Sequence, residues 1–560
     1  MAIITKLSIL ATCFLAVSGA PGRPAAGWNG GNWHEGNWQG GGRHGNRLPV
    51  VDLGYAVYRG TTLAAGINQF LGMRYAAAPL GDLRFRAPQG PVKERGLQNA
   101  TAFQPICAGT GQEASDSLAE DCLFVNVFAP TNATATSKLP VWVYIQGGGY
   151  SVLSNADYNG TEVVTQSDNG LILVNFNYRV GALGFLASQS VRENGALNAG
   201  LLDQRKVLEW VQKYIHLFGG DPDHVVIHGA SAGGGSVAYH MAAYGGRNDH
   251  LFVGAVPESP FFPTHRTVSD SEFSFTRFVI DAGCSEASDA MACLRSKDID
   301  TIQAANVNKP FPGASEPPFW TFLPVVDGDF SRDLLYNQLR QGQYIKVPTM
   351  VGGDTDEGSY FAANASNPAE VASFIQANYP KLTTSDLDKI NEAYPLMDPV
   401  PLHAAYFPSA SAAYGESTFT CPGLEFSASI SAYLSASQSW NYRYNVQDQA
   451  NIAAGLGVPH TSETPAIFGV GYAGGEGGSL ATDNAAIVPI VMDYYISFVK
   501  TLDPNKLRNE AAPYWAPFEV QGVQQRLKIE TGSTEMEAVP QAQKERCELW
   551  WSLATVMEQK

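Results

Sequence analysis

The chain has 560 residues, of which 45% are hydrophobic and 16% are charged, so it is long enough to bury a large core. Its formal charge of −17 and isoelectric point near 5.0 argue against nucleic acid or an anionic membrane as the main partner, because both would repel it. These bulk properties say nothing positive about a substrate.

The N-terminus predicts a secretory signal. Lys6 precedes the apolar run LSILATCFLAV, and the small residues SGA follow it, so we expect residues 1–20 to be removed by cleavage after Ala20. The run is too short to span a bilayer and no apolar tail closes the chain, so we predict a secreted, extracellular protein without a stable membrane anchor. Residues 21–47 are rich in Gly, Asn and Trp and predict a flexible lead-in. We expect residues 48–560 to form a single domain.

Sequons and cysteines agree with export. The predicted glycosylation sites are the four N-x-S/T asparagines, Asn99, Asn132, Asn159 and Asn364. Beyond the signal, an even number of cysteines remains, which is typical of disulfides in an oxidising compartment. They are Cys107, Cys122, Cys284, Cys293, Cys421 and Cys547. Six cysteines permit 15 connectivities, so their number does not assign the pairs.

Strands and helices alternate along the folded region. LPVWVYI (139–145) and GLILVNFNY (170–178) are near-continuous apolar runs, typical of strands buried on both faces. AGLLDQRKVLEWVQKYI (199–215) has helical spacing. Further strands are predicted at DHVVIHG, LFVGAVPES, VPTMVGGD and SWNYRYNV. This alternation predicts an α/β fold with a mostly parallel sheet, in which active sites form at the carboxyl ends of strands.

Three glycines, Gly147, Gly148 and Gly149, directly follow the first of these strands. Their backbone N–H groups can point into a cavity and, with the N–H of Ala232, stabilise an oxyanion. A flexible turn is the alternative interpretation. The position of the glycines, after one strand and ahead of the strand that leads to a serine, favours the catalytic one.

That serine lies in VVIHGASAGGGSV (225–237), between a strand and a helix that we expect to begin after the glycines. Ser231 has Gly229 and Gly233 on either side, the G-x-S-x-G arrangement. A sharp turn strains the serine, and Cβ atoms at the flanking positions would collide with neighbouring segments. A glycine-rich turn that happens to contain serine is the alternative, so a nucleophilic role requires a base and an acid further along the chain.

The sequence contains candidates for both the acid and the base. VPTMVGGDTDEGSYF ends a strand in three carboxylates, Asp354, Asp356 and Glu357, and their spacing does not choose among them. Only His403 and His460 lie far enough beyond the serine to follow an acid. His403 lies between prolines, whereas His460 lies in a loop about a dozen residues after a predicted strand, where a catalytic base belongs. We therefore predict His460 as the base.

Several segments resemble the type-B carboxylesterase/lipase family, which includes cholinesterases and fungal lipases. FGGDPDHVVIHGASAG (218–233) and EDCLFVNVFAP (120–130) resemble its two signature segments. PLGDLRFRAP (79–88), NYRVGALGF (177–185) and GLLDQR (200–205) match as well. The resemblance runs from about residue 50 to the C-terminus and is most like secreted fungal members. It implies an α/β-hydrolase fold, with a large, mostly parallel central sheet flanked by helices.

The resemblance also implies site residues. In this family a glutamate immediately before a glycine orients the histidine, which implies Glu357 as the acid, with His460 as the base and Ser231 as the nucleophile. The implied oxyanion donors are Gly148, Gly149 and Ala232. The implied disulfides are Cys107–Cys122, Cys284–Cys293 and Cys421–Cys547. Two implied structural ion pairs join Arg84 to Glu120 and Arg179 to Asp203.

These residues predict a serine carboxylic-ester hydrolase that works through an acyl-enzyme and needs no metal or organic cofactor. A small-molecule ester is the expected partner, and the sequence carries no signal for oligomeric state. A triacylglycerol or sterol-ester lipase is the first alternative. The second is a non-catalytic binding protein on the same fold.

Departures from the family limit the substrate. Many members carry glutamate before the serine, where this chain has Ala230, so we expect an acid that tunes the site to be missing. The loop between Cys107 and Cys122 is short and has no aromatic residue, which disfavours choline esters and a large apolar lid. PFFP (260–263) and PPFWTF (317–322) predict either core packing or a pocket for bulky or aromatic esters.

Overall fold

The structure is a computed structural model that describes residues 48–153, 158–312, 314, 316–473 and 477–559. The predicted signal and lead-in lie outside the described residues. Within those ranges, no helix has both the length and the apolar character needed to cross a membrane.

The strands are β1 (Val50–Asp52), β2 (Val57–Arg59), β3 (Thr61–Thr62), β4 (Ile67–Arg74), β5 (Leu97–Asn99), β6 (Ile106–Cys107), β7 (Leu118–Ala119), β8 (Phe124–Pro130), β9 (Leu139–Ile145), β10 (Ile172–Phe176), β11 (Gly220–Ala230), β12 (Gly254–Glu258), β13 (Thr349–Asp354), β14 (Ser439–Tyr444), β15 (Glu519–Val520), β16 (Val523–Ile529) and β17 (Glu535–Ala538). The α-helices are α1 (Thr161–Gln166), α2 (Gly181–Phe185), α3 (Gln189–Asn194), α4 (Ala199–Tyr214), α5 (Ala232–Gly246), α6 (Glu272–Asp281), α7 (Ala290–Ser296), α8 (Ile299–Ala305), α9 (Leu335–Arg340), α10 (Pro368–Asn378), α11 (Thr384–Ala393), α12 (Phe407–Gly415), α13 (Cys421–Tyr433), α14 (Gln449–Ala453), α15 (Thr464–Phe468), α16 (Val488–Thr501) and α17 (Gln541–Leu553).

A 12-stranded sheet organises the molecule, in the order β15-β16-β14-β13-β12-β11-β9-β10-β8-β4-β3, with β17 beside β16. The central strands from β10 to β16 pair in parallel. The strands at both edges pair antiparallel. Parallel neighbours need crossover connections, and here helices supply them, so both faces of the sheet are covered.

The apolar runs predicted as strands are buried on both faces. In β9, Val141 and Val143 pack into one apolar core, and Trp142 and Tyr144 pack into a second one on the opposite face. Successive side chains of a strand alternate between faces, so a strand between two helical layers must be apolar at every position. The mostly parallel α/β sheet expected from the sequence is confirmed.

One predicted boundary is wrong. The helix after the serine begins at Ala232, before the glycines, and contains them in its first turn. A Cβ atom at Gly233 would lie 2.0 Å from the Ile145 carbonyl oxygen, and one at Gly234 would lie 2.3 Å from the Glu258 carbonyl oxygen. Because glycine has no Cβ atom, the helix can begin in close contact with the ends of β9 and β12. The glycines therefore do not delay the start of the helix.

Disulfides and buried ion pairs fasten the segments around this sheet. Disulfides join Cys107 to Cys122, Cys284 to Cys293 and Cys421 to Cys547. Both ion pairs implied by the resemblance are present and bidentate. They join Arg84 to Glu120 at 2.5 and 2.7 Å, and Arg179 to Asp203 at 2.8 and 2.7 Å. Each pair is almost fully buried, so removing one partner would leave an uncompensated charge.

Candidate active site

The predicted nucleophile lies at the turn between β11 and α5. Ser231 has φ 60° and ψ −123°, a conformation that a non-glycine residue rarely adopts. Its flanking glycines allow the turn to close, since a Cβ atom at Gly229 would lie 2.4 Å from the Gly233 carbonyl carbon. The Ser231 N–H donates to the Glu258 carbonyl oxygen at 3.0 Å, which ties the turn to the neighbouring strand β12.

The glycine loop after β9 lies against this turn. A Cβ atom at Gly147 would lie 3.0 Å from the Ser231 Cβ. Gly148 and Gly149 have φ angles of 109° and 63°, which favour glycine. At Gly149 a Cβ atom would lie 2.1 Å from the Trp320 ring. The loop thus runs between the serine and an aromatic side chain, with no room for side chains of its own.

The predicted acid and the predicted base meet across a long sequence separation. His460 Nδ1 contacts Glu357 Oε2 in a very short hydrogen bond, and both side chains are buried. The other carboxylate oxygen, Glu357 Oε1, accepts from Ser259 Oγ at 2.7 Å and from the Asp354 N–H at 2.8 Å. These two donors fix the carboxylate with Oε2 directed at the histidine.

Glu357 is followed by Gly358 for a steric reason. A Cβ atom at Gly358 would lie 1.9 Å from the Ser411 carbonyl oxygen on α12. That close approach lets the loop after β13 turn the glutamate inward. The glutamate-glycine pair quoted from the sequence is therefore a packing requirement of this loop.

The second nitrogen of His460 has no such partner. Nε2 is buried and forms no hydrogen bond with the described residues. The ring packs against Phe419 and Phe361, with centroids 4.4 and 5.4 Å away. Because Nδ1 is held by Glu357, Nε2 is the nitrogen left to exchange a proton.

Adjacent strands connect the serine to this pair. Ala230 and Glu258 are register partners on β11 and β12, and Ser259, the residue after β12, donates to Glu357. Glu357 in turn holds His460. Hydrogen bonds therefore link the segments that carry the three predicted residues, with Ser231 and Glu357 at the carboxyl ends of β11 and β13 and His460 in the loop after β14.

The other candidates have different environments. Asp356 Oδ2 accepts from the Val458 N–H at 2.8 Å, and Asp354 Oδ2 accepts from the Ser462 N–H at 3.2 Å, so both hold the loop that carries the base. His403 stacks on Phe407, with ring centroids 3.7 Å apart, and its Nδ1 pairs with the Pro401 carbonyl oxygen at 2.8 Å. Of the two histidines, His460 is the one held by the carboxylate.

Sequence reasoning missed two buried acids around this site, Glu258 and Glu463. Burial raises the pKa of Glu258 and of Glu463 to about 8, and it raises the pKa of Asp354 as well. Glu258 ends the strand GAVPE and Glu463 lies three residues after the predicted base. An acidic residue that closes an apolar strand was the available signal. No group of three or more His, Cys, Asp or Glu side chains within the described ranges is arranged to hold a metal ion.

The aromatic segments lie beside the glycine loop. Phe261 is 1% exposed and Trp320 is 8% exposed, and their ring centroids are 5.6 Å apart. The Trp320 indole donates to the Tyr414 hydroxyl at 3.1 Å. The rings are packed in the core, as one of the two interpretations predicts, and Trp320 also borders Gly149. The ester pocket stays a prediction.

Comparisons with known proteins identify the family of the chain. The Carboxylesterase family profile matches residues 48–550. The chain is 30% identical to "Secreted lipase 4" of Gibberella zeae over 89% of this chain and 92% of that one. It is 32% identical to "Lipase 2" of Geotrichum candidum over 79% and 85% of the two chains.

A solved structure is similar as well. The crystal structure of Aspergillus niger EstA is 56% identical, has a TM-score of 0.90, and is matched over 92% of this chain and 99% of that one. The expected family and fold are therefore confirmed. The chain belongs to the carboxylesterase family, has the α/β-hydrolase fold, and is a carboxylic ester hydrolase.

Proposed function

We propose that the protein is a secreted serine carboxylesterase in which Ser231, His460 and Glu357 form the catalytic triad. The observation that carries the proposal is the buried contact of Glu357 with His460 Nδ1, which leaves Nε2 without a hydrogen-bond partner among the described residues. The strained backbone of Ser231, at the end of the neighbouring strand, supports its role as the nucleophile.

In this mechanism Ser231 Oγ attacks the ester carbonyl carbon while His460 Nε2 accepts the hydroxyl proton. Glu357 stabilises the resulting imidazolium. The N–H groups of Gly148, Gly149 and Ala232 hold the oxyanion. The imidazolium then protonates the departing alcohol, and water, deprotonated by the same nitrogen, cleaves the acyl-enzyme.

We propose small to medium or aromatic esters as substrates. Trp320 packs directly on Gly149, so an aromatic wall stands next to the proposed oxyanion donors. This wall restricts the space for a long acyl chain. The relatives named lipases support the alternative, a lipase acting on triacylglycerols or sterol esters.

Secretion is supported by the word "secreted" in the names of two relatives, from Gibberella zeae and Botryotinia fuckeliana. The disulfides suit an oxidising compartment. Three of the proposed glycosylation sites, Asn99, Asn132 and Asn364, are exposed, and Asn159 is half-buried. We also propose that residues 48–560 form a single domain.

Covalent labelling tests the nucleophile. A fluorophosphonate probe reacts with activated serines, so we expect the purified protein to gain one adduct, on the peptide that contains Ser231. Mass spectrometry of the digest would locate it. An adduct on any other serine would contradict the proposed triad.

A hydrolysis series from p-nitrophenyl acetate to palmitate on the same sample would separate an esterase from a lipase.

The aromatic wall makes a prediction about chain length. Trp320→Ala should raise kcat/KM for p-nitrophenyl octanoate, relative to acetate, by about tenfold, which is the order of effect that one or a few methylene groups produce in a pocket. The truncated side chain would enlarge a cavity of about 10 Å³ that Trp320 lines together with Asn378 and Tyr414.

The matched control is Phe262→Leu. Phe262 is as deeply buried as Trp320, but its ring packs on Tyr336, with centroids 5.5 Å apart. General loosening of the core would shift both variants equally. An unchanged chain-length profile in folded Trp320→Ala protein would contradict the proposed wall.

A further inference from the structure

Glu258 carries a carboxyl group beside the turn that holds Ser231, although the residue before Ser231 is an alanine. Ala230, the residue before Ser231, is the register partner of Glu258 on β12. Register partners on parallel strands project their side chains to the same face of the sheet. The acid that was expected to be missing from the turn is therefore present on the neighbouring strand, at the same level.

Glu258 is held in one orientation. Its side chain is fully buried, and Oε2 lies 2.7 Å from His228 Nε2. The Trp142 indole donates to His228 Nδ1 at 3.1 Å. An indole N–H only donates, so Nδ1 must accept. Burial lowers the pKa of His228 to about 3, so the ring is neutral and carries its proton on Nε2, which donates to Glu258.

The second oxygen of Glu258 is unused. Oε1 is buried and has no hydrogen-bond partner within the described parts of the chain. Burial raises the pKa of Glu258 to about 8, the charge of Glu357 adds to this rise, and the nearby Thr464 hydroxyl, which lies outside hydrogen-bond geometry, opposes it. The titratable groups that face it from the packed elements are His228 (β11), Tyr144 (β9), Asp354 (β13), Glu357 (after β13), Tyr442 (β14), Glu463 (before α15) and Tyr495 (α16).

We propose that Glu258 is a positioning residue for ester hydrolysis, a second carboxyl group that acts on His460 through Glu357 and is supplied by the neighbouring strand. The proposal rests on the proposed triad. While Glu258 is protonated, it adds no charge to the pair formed by Glu357 and His460. Once ionised, it adds negative charge near Glu357, to which the adjacent residue Ser259 donates a hydrogen bond, and this charge stabilises the imidazolium that forms in the transition state.

The pH profile of kcat tests this role. Because the folded pKa of Glu258 is raised to about 8, the group is neutral below that pH and ionised above it. We expect kcat of the wild type to rise about fivefold between about pH 7 and 9.5. Glu258→Gln keeps an oxygen acceptor for His228 Nε2–H, so it should lose this alkaline rise yet stay within about twofold of the wild type near pH 6.5.

A second variant tests whether Glu258, and not another buried acid, causes the alkaline rise in kcat. Glu463→Gln removes another buried acid with a pKa of about 8, and comparing its pH profile with that of Glu258→Gln assigns the alkaline rise to one acid or the other. Loss of the rise in Glu463→Gln but not in Glu258→Gln would overturn the proposal. An equal loss of rate at every pH in Glu258→Gln would also overturn it, because that pattern indicates a purely structural role.

The wild-type profile keeps the proposal testable if Glu258→Gln does not fold, because an absent alkaline rise would itself overturn it. The variant Ser231→Ala tests the proposed triad separately from the role of Glu258. Activity that survives in Ser231→Ala would reject the proposed function, whereas an inactive Ser231→Ala beside a normal Glu258→Gln would reject only the role of Glu258.

Discussion

Replacing Ser231 with alanine should lower kcat for p-nitrophenyl acetate by about 10⁶-fold, the scale seen when a serine nucleophile is removed. Without Oγ no acyl-enzyme can form, and only the oxyanion donors and water remain to promote hydrolysis. The fold should persist, because alanine removes one oxygen from a turn whose backbone is held by the Glu258 carbonyl. We expect the thermal midpoint to change by no more than about 2 °C.

The measurement compares wild type and variant at saturating substrate, with circular dichroism to verify folding. Ser552→Ala is a suitable control, because Ser552 is exposed and its hydroxyl contacts the Leu549 carbonyl oxygen on α17. It should retain full activity. Residual activity of Ser231→Ala within tenfold of the wild type would assign the hydrolysis to another residue.

Replacing Glu357 with glutamine should lower kcat by about 10³- to 10⁴-fold, with KM changed much less. Ser259 Oγ and the Asp354 N–H both donate to Glu357 Oε1, so the amide oxygen of glutamine must occupy that position. Its NH₂ group then faces His460 Nδ1 and needs an acceptor there. The histidine is forced to carry its proton on Nε2, where it cannot act as a base.

The matched control is Asp356→Asn on the same loop. Asp356 accepts from the Val458 N–H, and an asparagine oxygen can accept the same bond, so we expect activity within about threefold of the wild type. Initial rates across a range of substrate concentrations give kcat and KM for both variants. A larger loss in Asp356→Asn than in Glu357→Gln would place the orienting acid at Asp356.

Local patterns determined much of the architecture. The uninterrupted apolar runs of β9 and β10 predict strands covered on both faces, because only buried positions tolerate apolar side chains throughout. Gly229 and Gly233 predict a tight turn around Ser231, and a Cβ atom at either position would collide with backbone atoms. These features follow from sterics and burial within a few residues, so the sequence carries them directly.

Only the tertiary structure decided which distant side chains meet. His460 and Glu357 are 103 residues apart, and spacing alone does not distinguish Glu357 from Asp354 or Asp356; only the family resemblance does. The packing of Gly358 against Ser411 turns one of the three inward. The start of α5 likewise depends on how closely its glycines approach β9 and β12.

Glu258 is a further example of what the sequence determines and what only the tertiary structure decides. Read along the chain, Ala230 indicates that the serine turn lacks an acid, and this holds for the turn itself. Strand register then places Glu258 beside Ala230 and in contact with His228. The sequence by itself determines which strands, turns and family this chain has. Strand pairing and helix packing decide which charges share a low-dielectric site, because such contacts join segments that are remote in sequence.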